Sequence, residues 1–289
     1  MPKKLDIANR TALITGGAGG IGSAVAAKLA AHGTNIVLTD ICQAALDRTA
    51  ASMPAGQVLP ITADVTDAAD MQRVVNAAVE RFGHLDIVFA NAGIAAKHPT
   101  TVRRTDPAEF EKIIEVDLLG VYRTIYPTLE HVITNQGHIL ITGSIYSFMN
   151  GVANGPYAAS KAAVESLGRV LRTELSPHGA SAGVLSPGWV ATDISELAFG
   201  GDPLISKMRA HAFRGPLGKA ITPEQIADAV IPGIQARAAS IVCPRRWLPI
   251  ALMRGVANPA IDAVLNRDAK IRDILTELED RPGVAPDPR

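Results

Sequence analysis

The chain has 289 residues, 47% hydrophobic and 19% charged, which is enough to bury a sizeable core and too apolar for a disordered protein. Basic and acidic residues both total 28, and no like-charged block stands out, so a large basic face for nucleic acid gets no support. Two cysteines, Cys42 and Cys243, are too few for a disulfide framework and fit a reducing compartment.

In chain order, a short apolar run at 11–15 predicts a first strand, and a glycine cluster then opens a helix over 21–31. Strands at 35–40, 58–62 and 87–90 alternate with helices at 44–52 and 68–82. A long helix is predicted over 107–135, led by Asp106-Pro107-Ala108-Glu109, an N-cap followed by a proline at N1 and an acid at N3. A strand at 138–142, a helix at 157–176 and a strand at 182–186 come next. The segment 193–221 breaks the alternation, with Gly200, Gly201, Pro203, Gly215, Pro216 and Gly218 along it; it reads as a lid over a ligand or as a plain mobile loop. Thr222-Pro223-Glu224-Gln225 starts a helix over 223–237, and 240–242 is the seventh strand. The strands are continuously apolar, so both sheet faces are expected to be covered. The fold class is therefore α/β: a single doubly wound Rossmann-type domain over 1–243, a seven-stranded parallel sheet with helices on both faces.

Chemistry enters at the first turn. Gly16, Gly17, Gly19, Gly20 and Gly22, with Ile21 among them, follow a strand and open a helix. Glycines there let backbone N–H groups approach a pyrophosphate at the helix N-terminus. Asp40 ends the next strand, 24 residues after Gly16. A carboxylate at that place accepts from an adenosine ribose 2′-OH and repels a 2′-phosphate, and neither Ala18 nor Ile41 is cationic. NAD is thus favoured over NADP; a solvated strand end is the plain alternative for Asp40.

Further motifs follow in order: Asp64-Val65, Asn91-Ala92-Gly93, Ser144, Tyr157-Ala158-Ala159-Ser160-Lys161, and Pro187-Gly188 followed by Thr192. With the glycine loop they make the chain resemble the short-chain dehydrogenase/reductase family over roughly residues 10–243. Tyr157 and Lys161, four positions apart, share one helix face. A phenol of reference pKa near 10 needs a shift of roughly 2–3 units, about 3–4 kcal/mol, to act as a base at neutral pH. The Lys161 ammonium and the positive nicotinamide are the expected sources. Ser144, 13 residues before Tyr157, closes the fifth strand, where its hydroxyl can donate to a substrate oxygen.

The resemblance implies the remaining assignments. Lys161 holds the nicotinamide ribose, Asp64 and Val65 flank the adenine, and Asn91, Ala92 and Gly93 close the fourth strand against the cofactor. Pro187, Gly188, Val190 and Thr192 lie along the nicotinamide half, with Thr192 on the carboxamide. Asp117 departs from the pattern, standing where the family usually has an asparagine that supports a proton relay. It is expected either to pair with Lys161 and restrain its charge or only to keep the backbone geometry, in a relay that is retuned rather than dead.

Around the pocket the resemblance puts Ile145, Tyr146, Phe148, Met149, Val152 and Trp189; Ser144, Tyr146, Met149 and Trp189 are the expected substrate contacts. An apolar wall favours an uncharged hydrophobic alcohol or ketone. The expectation is ordered hydride transfer, with Tyr157 taking the alcohol proton. Two rivals are a dinucleotide sensor without chemistry and a nucleotide-sugar epimerase or dehydratase, for which Lys207, Arg209 and Arg214 would supply polar contacts.

A C-terminal extension over 244–289 begins with an apolar patch at Trp247, Leu248, Ile250, Leu252 and Met253, too short to span a membrane, and continues with helical spacing from Ile261 to Leu278. It is expected to pack on its own domain or a sister subunit, rather than on a membrane surface, in a homo-oligomer, a dimer or homotetramer. The N-terminus lacks an apolar h-region, and no uninterrupted run reaches about 18 apolar residues, so the protein is expected to be cytoplasmic and without a transmembrane segment. No metal is expected.

Overall fold

The computed structural model describes residues 4–192, 195, 202–213 and 215–281. The seven strands are β1 Thr11–Thr15, β2 Asn35–Asp40, β3 Val58–Thr62, β4 Ile87–Ala90, β5 His138–Thr142, β6 Ser181–Pro187 and β7 Ser240–Cys243. They form one parallel sheet in the order β3-β2-β1-β4-β5-β6-β7. The order reverses between β1 and β4, the place where an open α/β sheet leaves a crevice beyond its carboxyl ends.

Continuous apolar strands arise because alternate residues enter different cores. Ala12 and Ile14 of β1 join the core under α1 (Gly20–Ala31) and α9 (Pro223–Gln235), whereas Leu13 joins the core under α3 (Ala68–Phe82) and α7 (Gly155–Leu175). Both faces are dry, so neither tolerates the polar alternation of a half-exposed sheet. The chain adds α2 (Gln43–Ala51) between β2 and β3.

The helix predicted over 107–135 is not continuous. It runs as α4 (Pro107–Ile114), a π turn at Glu115–Leu119, α5 (Gly120–Ile125), a 3₁₀ turn at Tyr126–Thr128 and α6 (Leu129–Thr134). Pro127, which lacks an N–H, sits in the 3₁₀ turn, and the π turn inserts one residue into the hydrogen-bond ladder. The other predicted ends coincide with the observed ones or move by at most two residues.

Part of the expected lid, residues 193, 194, 196–201 and 214, lies outside the described residues. The rest contains α8 (Pro203–Ala212), capped by the Asp202 carboxylate, which accepts from Leu204 N at 2.8 Å. This is the same Asp-Pro start as α4, so the surrounding glycines concealed a helix.

The extension folds as two helices, α10 (Leu248–Arg267) and α11 (Ala269–Glu279), separated by Asp268, whose carboxylate caps α11 by accepting from Ile271 N at 3.1 Å. Within the 23-residue helical stretch Arg245–Arg267 an 18-residue window of mean hydropathy 1.3 is long and apolar enough to cross a membrane by length and average composition, and that window is unburied. Arg254 and Asp262 interrupt the apolar run, and both turn onto the domain: Arg254 pairs with Glu165 of α7, and Asp262 accepts from Asn150 at 3.0 Å.

Candidate active site

A cavity of about 380 Å³ opens beyond the carboxyl ends of β1 and β4. At one end it is lined by Gly16, Gly19, Gly20, Ile21 and Asp40. Gly16 has φ +62°, and a Cβ there would meet Ala92 Cα at 2.9 Å; at Gly20 it would meet Thr192 Cγ2 at 2.9 Å. Gly22 does not line the cavity: it packs against the turn itself, where a Cβ would lie 2.2 Å from Gly16 O. The loop is therefore a close-packed cradle of backbone that side chains would fill. Asp40 is half-buried, and its carboxylate accepts from Ala18 N at 3.2 Å.

The middle of the cavity is built by Asn91, Ala92 and Gly93. The Asn91 amide donates to Thr15 O at 3.1 Å and accepts from Thr142 Oγ1 at 3.0 Å, so one side chain ties β1, β4 and β5 together. Thr15 Oγ1 accepts from Asn91 N and Ala92 N at 3.0 and 3.1 Å. The sequence reading missed Thr15 and Thr142 as structural partners, because a threonine at a strand end carries no distinguishing pattern.

At the other end Ser144, Tyr146, Tyr157, Lys161, Pro187, Gly188, Trp189, Val190 and Thr192 complete the wall. Ser144 is the cap of a 3₁₀ turn, its hydroxyl accepting from Tyr146 N at 3.1 Å. Ser147 Oγ accepts from Ser144 N at 3.2 Å and donates to Lys161 O at 2.8 Å, which fixes the serine turn to α7. The Ser144 side chain acts on the Tyr157 phenol, drawing its pKa down. The segment carrying Val190 and Thr192 is held by Ala191 N donating to Ile221 O at 2.9 Å, and Gly188 lies flat against Trp247, whose Nε1 a Cβ would approach to 2.7 Å.

Lys161 Nζ stands 5.4 Å from the centroid of the Tyr157 ring and donates to Thr142 O at 3.3 Å. It also pairs with Asp117 at 3.1 Å, with both side chains buried. Of the two alternatives open for Asp117, the structure has the ion pair. The π turn carries Asp117 inward, where its other oxygen accepts from Ile94 N at 2.7 Å, and Gly93 leaves room for the pair. Burial raises the Asp117 carboxyl, against the pull of Lys161. Burial opposes the Lys161 charge, but Asp117 and Tyr157 together outweigh it and hold the ammonium above its ordinary value. The Tyr157 phenol is raised above its ordinary value: burial and the Asp117 carboxylate exceed the lowering by Lys161 and Ser144. Lys161 pulls the phenol down in the expected direction, but burial and Asp117 keep it above its ordinary value.

Asp64, Val65 and Met149 also stand apart from this cavity. Asp64 is exposed and caps its own turn, accepting from Thr66 N at 2.8 Å, while Val65 packs against Gly120. Met149 lines a second cavity beyond Tyr146. Among the described residues no cluster of three or more His, Cys, Asp or Glu has the arrangement of a metal site.

Comparison with known proteins agrees with this geometry. The model of the short chain dehydrogenase family matches residues 10–199. Cis-4-hydroxycyclohexanecarboxylate dehydrogenase of Sinomonas cyclohexanicum is 32% identical over 230 residues, covering 77% of this chain and 88% of that protein. Levodione reductase of Leifsonia aquatica is 33% identical over 193 residues, 65% of this chain and 72% of the relative. Among solved structures, the 3-ketoacyl-(acyl-carrier-protein) reductase of Brucella melitensis complexed with NADH superposes with a TM-score of 0.74 at 27% identity, covering 82% of this chain and 97% of that one. The chain belongs to the short-chain dehydrogenase/reductase family of oxidoreductases.

Proposed function

We propose that the protein is an NAD-linked dehydrogenase/reductase that moves a hydride between nicotinamide and a hydrophobic secondary alcohol or ketone, with Tyr157 as acid/base. The observation that carries the reading is the convergence of Ser144, Tyr157 and Lys161 at one end of a cavity whose other end is the glycine cradle and Asp40. The cradle suits a dinucleotide because its backbone is packed too closely for side chains at Gly16 and Gly20. Gly16, Gly19, Gly20 and Ile21 would hold the pyrophosphate, Asp40 the adenosine ribose, and Asn91, Ala92, Gly93, Pro187, Gly188, Val190 and Thr192 the remainder. Bound nicotinamide supplies or accepts the hydride.

The chain's own groups handle the proton. Ser144 donates to the substrate oxygen, Tyr157 gives or takes its proton, and Lys161 holds the phenol's field and the nicotinamide ribose. The raised phenol suits proton donation, the step that ketone reduction requires. Asp117 is read as a positioning residue acting through Lys161. The hydroxycyclohexane ring in the name of one curated relative supports a ring-shaped alcohol or ketone. The segment 193–221 is read as a substrate lid. Exposed Tyr122, Tyr126 and Val170 on the helical face are the surface on which a homo-oligomer would close, and the cytoplasm remains the expected compartment.

Titration with NADH and with NADPH, followed by nicotinamide fluorescence at fixed ionic strength, tests the cofactor. The wild type should prefer NADH, and Asp40→Ala should narrow that preference. Preference for NADPH would overturn the role given to Asp40, and binding of neither would overturn the dinucleotide reading.

A further inference from the structure

The catalytic cavity ends at Tyr146, and a second cavity of about 260 Å³ begins there, since Tyr146 lines both. Its wall is mostly hydrocarbon: Met149 and Val152 follow β5, Met208 lies on α8, and Ile261 and Leu265 come from α10. The C-terminal extension thus supplies a wall of this space. An edge-to-face aromatic series runs beside it, with Tyr157 6.3 Å from Tyr146, Tyr146 6.0 Å from Trp189, and Trp189 5.2 Å from Phe213.

Among the described residues one cation stands in the wall. Arg209 of α8 is half-buried, with its guanidinium carbon 5.2 Å from the centroid of Trp189, a residue that lines the catalytic cavity. Its neighbours are spoken for: His211 pairs with Asp268 at 2.7 Å, and Arg281 pairs with Asp202. Arg209 has no carboxylate partner among the described residues. Among the described residues the other polar groups of the wall are neutral, with Asn150 donating to Asp262 and the Asn154 amide buried without a partner.

A guanidinium that meets an aromatic ring through its face keeps its in-plane N–H donors free, and those donors match a carboxylate bidentately. In an apolar wall such a cation is attracted to an anion far more than it would be in water. We propose that Arg209 is a specificity-determining residue that binds the carboxylate of a hydroxy or oxo acid. The apolar skeleton of that acid, a ring or its equivalent, fills the second cavity, while its reacting carbon lies at Ser144 and Tyr157. This inference rests on the dehydrogenase/reductase reading and adds a charge at the far end of the substrate.

The test compares 4-hydroxycyclohexane-1-carboxylate with 4-methylcyclohexanol in the NAD⁺-linked assay. The wild type should use the acid better. Arg209→Met should reduce its kcat/KM preference for the acid by roughly 10–100-fold, mainly through KM, and Arg209→Lys should restore part of it. A second measurement needs no turnover: calorimetric titration with cyclohexanecarboxylate in the presence of NAD⁺, which should show binding that Arg209→Met weakens by a similar factor. If both alcohols are used equally and the preference ignores Arg209→Met, the anion site is wrong while the dehydrogenase reading stands. If neither alcohol reacts but cyclohexanecarboxylate binds through Arg209, the anion site stands and the dehydrogenase reading fails. Binding of cyclohexanecarboxylate that is absent, or indifferent to Arg209, overturns the inference.

Discussion

Replacing Asp117 by asparagine keeps the size of the side chain and removes one charge from a buried pair. Lys161 Nζ lies 5.4 Å from the Tyr157 ring centroid. At an effective dielectric of about 20, a unit charge at that distance favours the phenolate by roughly 3 kcal/mol, or about 2 pKa units. The Asp117 carboxylate, 3.1 Å from the same ammonium, opposes that field, and the phenol stays above its ordinary value. Because it offsets part of the Lys161 effect, Asp117→Asn should lower the Tyr157 pKa. The asparagine Oδ1 still accepts from Ile94 N. The assay is the pH profile of kcat/KM for NAD⁺-linked alcohol oxidation from about pH 6 to about pH 10, whose acid limb reports the free enzyme's base. The variant's limb should move to lower pH, with a gain in oxidation rate near neutrality. An unmoved or higher limb, in a variant that still binds NADH, would refute the idea that Asp117 restrains the Lys161 field.

Three further outcomes follow from the packing and burial. Gly22→Ala puts a methyl 2.2 Å from Gly16 O, so the loop must shift; NADH affinity should fall by about tenfold or more, and unchanged affinity would contradict the cradle. Gly255→Ala, where nothing lies within 4 Å of the added carbon in a helix, should instead raise stability by up to about 1 kcal/mol in urea unfolding. His138 is fully buried against Ser181 with Arg237 and Arg172 nearby, and burial lowers its pKa from 6.5 to about 3. Between those values the unfolded chain binds a proton that the folded protein refuses. Stability is therefore intact above pH 6.5 and lost as pH falls, by about 1.4 kcal/mol per unit from this group. His138→Gln should flatten the slope of unfolding free energy over that window; an unchanged slope would place the acid sensitivity elsewhere.

Much of this was legible in the chain because it is local. Strand apolarity reports two buried faces, and the glycine loop, Asp40, Ser144 and the Tyr157–Lys161 spacing each act within one turn. What was missed depends on distant neighbours. The π turn at Glu115–Leu119 exists where Asp117 reaches Lys161 and Ile94, partners that helical spacing does not reveal. The two helices of the extension look like a patch and a stripe until Asp268 is seen capping the second of them. Asp202-Pro203 carries the same start signal as Asp106-Pro107, yet flanking glycines argued for a loop. Asp64 and Val65 came from the resemblance, and here one caps its own turn while the other packs on Gly120. In sequence Arg209 is one polar residue of the lid among others; its standing over Trp189 is a tertiary fact.

The central claim is that Tyr157 carries the proton in an NAD-linked redox reaction, and Tyr157→Phe tests it with two readouts on one protein. The variant should bind NADH nearly as tightly as the wild type while turnover falls by roughly 10²–10⁴-fold, the usual worth of a positioned acid/base. Turnover retained with the phenol oxygen gone would contradict the account.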